Sequence, residues 1–381
     1  MSRSAVDPKY LIPVFSKALD VLEVFQKYDR PLSLEAIQKQ TNIPKTTAYR
    51  IVKTLVHRGY LAQTSSGLYR IVTRPRKLRF GFGQQCAGMP FSDAVTAGLL
   101  EAATRAGIEL LIMDNRYDPS TAIRVAEDFV ARRVDLVIEF QIDHHVAPVI
   151  ADRISTAGIP IIAVDVPHPN AIYFGVDNYR VGFEAGELLA DYAAQAWRGR
   201  VDRVLGLDIE HAGTLVQSRI TGSFRAIQDR LPQIALSSFF RLDGAGVQDK
   251  TARAVTEFLR ACPNDRRILI SAANDTSALG ALHAVRELRR EGDVVIVGQD
   301  CIPAALEEMI CPGSPWIGSV SHEAASYGPA LIRLGLSMLQ GATVAPYNYV
   351  EHRLITAEAL RSRAAPAEQD GSMRGTVWEH A

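Results

Sequence analysis

Three side chains with hydrogen-bonding oxygens follow short apolar runs in this 381-residue chain: Asp165 after residues 159–164, Asn274 after 268–270, and Asp300 after 294–297. Apolar runs of this length read as buried strands, and open α/β sheets bind ligands just beyond the carboxyl ends of their strands. Planar carboxylate and amide groups there can grip two hydroxyls at once. Arg219 sits near the start of a helical segment behind another strand, and its guanidinium fork can bridge adjacent hydroxyls or a carboxylate. Phe91 offers an aromatic plane to cover an apolar C–H face. Together these residues suit a small polyhydroxylated solute. Each also has a structural alternative. Asp165, two residues before Pro167, fits a turn. Asn274-Asp275 fits the start of the next helix, with Asp275 as a cap. Arg219 and Asp300 fit ion pairs with each other or with surface charges.

A second set lies near the N-terminus. In residues 44–58, Ala48, Ile51, Val52 and Leu55 share one helical face, while Thr46, Tyr49, Arg50 and Lys53 share another at i, i+3, i+4 and i+7. Hydroxyls, a guanidinium and an ammonium on one helix face are the groups that bond base edges and phosphates in a major groove. A solvated helix face is the plainer reading of the same pattern. Charge separates the two. Residues 1–79 hold 15 Lys and Arg against 5 Asp and Glu, whereas the rest of the chain holds 27 against 37, so a formal net charge of zero conceals a basic head on an acidic body.

These residues need elements to position them. Val14, Ala18, Leu22 and Phe25 give a first helix a stripe expected to be buried, and Ser33 caps a second, with Glu35 in its first turn. The helix over 44–58 opens at Pro44 and stops at Gly59. Residues 60–63 and 68–72 flank a polar, Gly-bearing turn and read as a hairpin. After a basic linker, apolar runs alternate with helical segments (93–106, 120–132, 179–197, 217–230, 276–290), which predicts parallel sheets covered on both faces and divided into two α/β lobes. The expected domains are a winged helix over 10–73, a linker over 74–77, an α/β body over 78–360, and a polar, disordered tail over 362–381.

Several function classes are set aside. A hydrophobic share of 47% with no membrane-length apolar run fits a globular chain, and four scattered cysteines without metal-ligand spacing fit free thiols in a reducing compartment. With no signal-peptide pattern, a cytoplasmic location is expected. Gly81-Phe82-Gly83 lacks the third small residue of a dinucleotide fingerprint, and neither a P-loop nor a GxSxG elbow occurs. Asp143-His144-His145 suggests metal, but adjacent side chains point apart in a strand or helix and the segment reads as a loop entering a helix, so no metal or cofactor is expected.

Residues 14–72 resemble the IclR-type winged helix. The resemblance is carried by Ala-Leu-Asp-Val-Leu at 18–22, Leu-Ser-Leu-Glu-Ala-Ile at 32–37, Ile-Pro-Lys-Thr-Thr-Ala-Tyr-Arg-Ile-Val-Lys-Thr-Leu at 43–55, Gly-Tyr-Leu at 59–61 and Gly-x-Tyr-Arg at 67–70. It implies DNA contacts from Lys45, Thr46, Thr47, Tyr49 and Arg50, and a wing around Ser65 and Ser66. Residues 77–355 are similar to the periplasmic sugar-binding fold shared by ribose-binding proteins and LacI-type repressors. The matching segments are Met89-Pro90-Phe91, the run ending at Asp165, Val176-Asp177-Asn178, Arg219-x-x-Gly222, the segment opening at Asn274-Asp275, Val297-Gly298-x-Asp300 and Ser319-Val320-Ser321-His322. By this resemblance Gln85 and His322 complete a ligand ring with Phe91, Asp165, Arg219, Asn274 and Asp300. Met89, Ser92 and Val166 depart from the family pattern, and no second-lobe aromatic is evident near Leu242, which opens the ligand class beyond a pentose or hexose.

The expectation is a homodimeric regulator of a double-stranded DNA operator. An effector, a sugar or a derivative of one, closes two lobes about crossing segments near Asp177, Gly298 and Val320. The rival reading is a sugar-converting α/β enzyme whose N-terminal helices serve as an oligomerisation scaffold.

Overall fold

The computed structural model describes residues 12–28, 30–72 and 77–364. The expected linker, apart from Lys77, and the chain beyond residue 364 lie outside the described residues. The chain divides into two compact units, Met1–Lys77 and Leu78–Ala381.

The first unit holds α1 (Pro13–Lys27), α2 (Leu34–Thr41), α3 (Lys45–His57), β1 (Leu61–Gln63) and β2 (Tyr69–Ile71). Ser33 caps α2 by accepting from the Ala36 amide, and Pro44 stands immediately before α3, where a missing N–H costs nothing. The buried face of α3 is Ala48, Ile51, Val52 and Leu55, packed with Val21, Phe25 and Ile37. β1 and β2 pair antiparallel, and Leu32 bridges to Tyr69 beside them. The first helix corrects the sequence reading: Val14 is 60% exposed, and Val21 joins Phe25 in the core instead. The reason is placement, because the helix meets its neighbours with its C-terminal half, leaving Ile12, Phe15 and Leu19 exposed as well.

The second unit has two lobes. In the first lie β3 (Arg79–Gln84), α4 (Pro90–Arg105), β4 (Glu109–Asp114), α5 (Pro119–Ala131), β5 (Leu136–Glu139), α6 (Ala147–Thr156), β6 (Ile161–Val164) and β7 (Ile172–Gly175). The chain then crosses to α7 (Asn178–Ala196), β8 (Arg203–Asp208), α8 (Thr214–Arg230), β9 (Phe239–Asp243), α9 (Gln248–Ala261), β10 (Ile268–Ala272), α10 (Asp275–Glu287), β11 (Val294–Gln299), α11 (Pro303–Ile310) and β12 (Trp316–Ser321). It returns for α12 (Ala324–Leu339) and β13 (Tyr347–Tyr349), and crosses a last time to β14 (Arg353–Thr356) and α13 (Ala357–Ala364). The sheet orders are β13-β7-β6-β5-β3-β4 and β14-β12-β11-β10-β8-β9. The pairings are parallel except that β14 runs antiparallel to β12 at an edge.

The structure differs from the sequence expectation at three further points. The lobes are joined at Val176-Asp177, at 322–323 and at 350–352, whereas Gly298 lies inside β11 and crosses nothing. Ser362 belongs to α13 and not to a tail, because Arg361 donates to the Ile310 and Cys311 carbonyls and holds that helix against α11. Asn274, not Asp275, is the N-cap of α10; its Oδ1 accepts from the Ser277 amide.

Candidate functional site

Every parallel strand of the two sheets ends towards the space between the lobes, so loops from both converge on one cleft. A cavity of about 40 Å³ there is lined by Gln85, Phe91, Asp165, Arg219, Asn274 and Asp300, which are six of the seven binding residues expected from sequence. Gln85 follows β3, and Phe91 sits in the first turn of α4. Asp165 and Asp300 stand one residue past β6 and β11, while Arg219 lies in the second turn of α8.

His322 is the exception. It is fully buried behind the wall, with Nε2 3.2 Å from Gln299 Oε1 and its ring edge-on to Phe91 at 5.8 Å. Its Nδ1 lies 3.2 Å from Asp300 Oδ1 without the alignment of a hydrogen bond. Burial, reinforced by the Arg219 charge, holds the imidazole well below its ordinary pKa, so it is neutral. His322 follows β12 on a crossing segment, which draws it into the packed junction behind the cavity wall.

The backbone at both aspartates is unusual. Asp165 has φ +61° and Asp300 φ +110°. Such conformations cost of order 1–3 kcal/mol in a non-glycine residue and gather at binding sites. Burial lifts the Asp165 carboxyl to about 6, against the pull of Arg219 and the Tyr327 hydroxyl, and its Oδ1 has no hydrogen-bond partner. Asp300 is raised well above the carboxylate range by burial and then by the nearby Asp275, again opposed by Arg219. Asp275 accepts from the Ser319 hydroxyl and the Ile302 amide, and so ties α10 to the strands beside it.

Arg219 is 5% exposed. Its Nε donates to Asn178 Oδ1 at 2.7 Å and Nη1 to the Ala273 carbonyl at 2.9 Å, which fixes the plane of the fork. It forms no ion pair with Asp300 among the described residues. Asn274 is partly committed, since Nδ2 donates to the Gly246 carbonyl at 3.1 Å. Phe91 meets Phe140 and Tyr327 edge-on at 6.3 and 5.6 Å, which holds its ring upright. The cleft therefore presents acceptors, a fixed cation and an aromatic plane, the set suited to hydroxyls around an apolar face.

Tyr117 was missed from sequence. It lines the cavity, and its hydroxyl donates across the cleft to the Ala245 carbonyl at 2.8 Å. Its amide donates to the Gln85 carbonyl. The available signal was its place just beyond β4, the same strand-end rule that found the others. A second contact spans the lobes: the His144 amide and Nδ1 lie 2.8 and 2.9 Å from the His211 carbonyl.

In the first unit, Lys45, Thr46, Tyr49, Arg50 and Lys53 are exposed on α3, and Thr47 is half-buried. Lys45 lies 3.7 Å from Glu35, and Lys53 donates to Gln63 and sits over the Tyr49 ring. Arg50 has no polar side-chain partner among the described residues. Ser65 and Ser66 are exposed in the turn between β1 and β2, where Ser66 bonds Thr64.

Residues 80–343 match the family described as periplasmic binding protein domain, and residues 15–65 the IclR helix-turn-helix domain. The D-ribose/D-allose-binding protein of Pseudomonas aeruginosa is 26% identical over 266 residues, 67% of this chain and 79% of its own. The ribose import binding protein of Bacillus subtilis is 22% identical over 228 residues, 59% of this chain and 70% of its own. A solved solute binding protein from Actinobacillus succinogenes with bound D-allose has a TM-score of 0.65 at 22% identity, covering 75% of this chain and 100% of that one, a likeness of fold. The chain belongs to the periplasmic binding protein domain family and carries an IclR helix-turn-helix domain on its N-terminal side.

Proposed function

We propose that this protein is a transcription regulator whose hold on operator DNA is set by a small solute, a sugar or a sugar derivative, bound between the lobes. The observation that carries the reading is the convergence of Gln85, Phe91, Asp165, Arg219, Asn274 and Asp300 on one cavity in a chain that begins with a helix-turn-helix domain. α3 enters the major groove with Thr46, Tyr49, Arg50 and Lys53 towards base edges; Lys45 and Thr47 serve its N-terminal end, and Ser65 and Ser66 the backbone beside it. The excess of basic residues over 1–79 supplies the sequence-independent attraction.

In the cleft, Asp165, Asn274 and Asp300 receive solute hydroxyls, Arg219 bridges two of them, and Phe91 covers the C–H face. Closure alters operator affinity only so far as solute binds the open and closed forms unequally. The regulator acts as a homodimer on paired half-sites in the compartment that holds the DNA. Exposed Ile12, Phe15 and Leu19, at the 3–4 spacing of paired helices, support that state. Thermal unfolding of the full chain with D-ribose, D-allose and sugar acids tests the cleft. One class raises Tm in the wild type and not in Asp165→Ala; a Tm that no polyol moves contradicts the reading.

A further inference from the structure

The loop between β5 and α6 carries a cluster that the regulator reading does not use. The segment is the loop expected from sequence, and it brings the rings of His144 and His145 together, with centroids 3.8 Å and planes 41° apart. One potential ligand atom from each of Asp143, His144 and His145 lies within 4.8 Å of the other two. Each ring already has a partner at Nδ1: the His211 carbonyl at 2.9 Å for His144, and Asp143 Oδ1 at 2.9 Å for His145. A carbonyl and a carboxylate only accept, so each neutral ring keeps its proton on Nδ1 and presents a free lone pair at Nε2. Metal-binding imidazoles are held in this way by their outer partners.

We propose that His144 and His145 chelate one divalent transition ion of the imidazole-preferring class, such as Zn(II), through Nε2. Asp143 orients His145 and adds negative charge, and water fills the remaining positions. The site also bears on the cleft. The His144 amide and Nδ1 both bond the other lobe at His211. An ion on Nε2 fixes the tautomer that this contact uses, so ion and closed cleft favour each other reciprocally.

The test is calorimetric titration of the full chain with zinc, with magnesium as the hard-cation control, alongside amide exchange at His144. The proposal expects one zinc ion per chain more in the wild type than in His144→Ala or His145→Ala, affinity roughly tenfold weaker in Asp143→Asn, and no matching magnesium uptake. It also expects zinc to slow His144 exchange in the wild type and not in His145→Ala; the native His145 side chain is 71% exposed, and its hydrogen bonds among the described residues stay within its own loop. Equal zinc uptake by wild type and His145→Ala overturns the site, and zinc binding without slowed exchange overturns its coupling to closure. Neither readout needs DNA or a sugar, so the site stands or falls apart from the regulator reading.

Discussion

Glu139 ends β5 as a fully buried acid whose Oε1 accepts from Asn115 Nδ2 at 2.7 Å and whose Oε2 has no partner. Burial raises its pKa from 4.5 to about 8. Between those values the folded chain holds a proton that the unfolded chain has released, so stability falls as pH rises, by at most roughly 1.4 kcal/mol per pH unit from this group. Glu139→Gln removes that slope. Its Tm should match or fall below the wild type near pH 5 and exceed it near pH 8; parallel Tm–pH curves would count against the buried-acid account. This residue also marks where sequence reasoning ended. Asp165, Asn274 and Asp300 were legible because each lies within four residues of the end of an apolar run, where open α/β sheets bind ligands. Glu139 lies within such a run, and Tyr117, although it stands just beyond β4, was passed over. His322 was placed by resemblance, and packing at the crossing segment moved it behind the wall.

At the scale of elements, α7 and α8 decide where Arg219 sits. They pack with almost no space between backbones: a methyl on Gly182 would overlap the Arg219 carbonyl, and one on Gly222 the Tyr179 carbonyl. Gly222→Ala should therefore cost about 1–3 kcal/mol by overpacking and also weaken solute binding, because the helix bearing Arg219 must move. Loss of stability with unchanged solute affinity would separate that packing from the site. The apolar runs foretold most central strands because those are buried on both faces. β9, β13 and β14 escaped notice because polar residues interrupt them and none is a continuous apolar run. The third crossing, at 350–352, was missed with them, since it lies between two of those edge strands.

At the scale of the whole molecule, a basic N-terminal unit and an acidic two-lobed body divide the proposed labour. Arg50→Ala should weaken DNA binding roughly tenfold or more while leaving solute affinity unchanged, as fluorescence anisotropy and calorimetry would report. Tyr117→Phe keeps the aromatic wall but removes the 2.8 Å bond to Ala245, so it should favour the open form, visible as a larger radius of gyration by X-ray scattering and weaker solute binding. Unchanged scattering would mean that this contact does not hold the lobes. The central claim is that a solute in the cleft changes the grip on DNA. The direct measurement is anisotropy of the full chain on DNA upstream of its own gene, with and without the solute that raises Tm most, in the wild type and in Asp300→Ala. The account predicts at least a fivefold change in Kd for the wild type and none for the variant. A wild type that binds the solute and holds the DNA with the same Kd contradicts it.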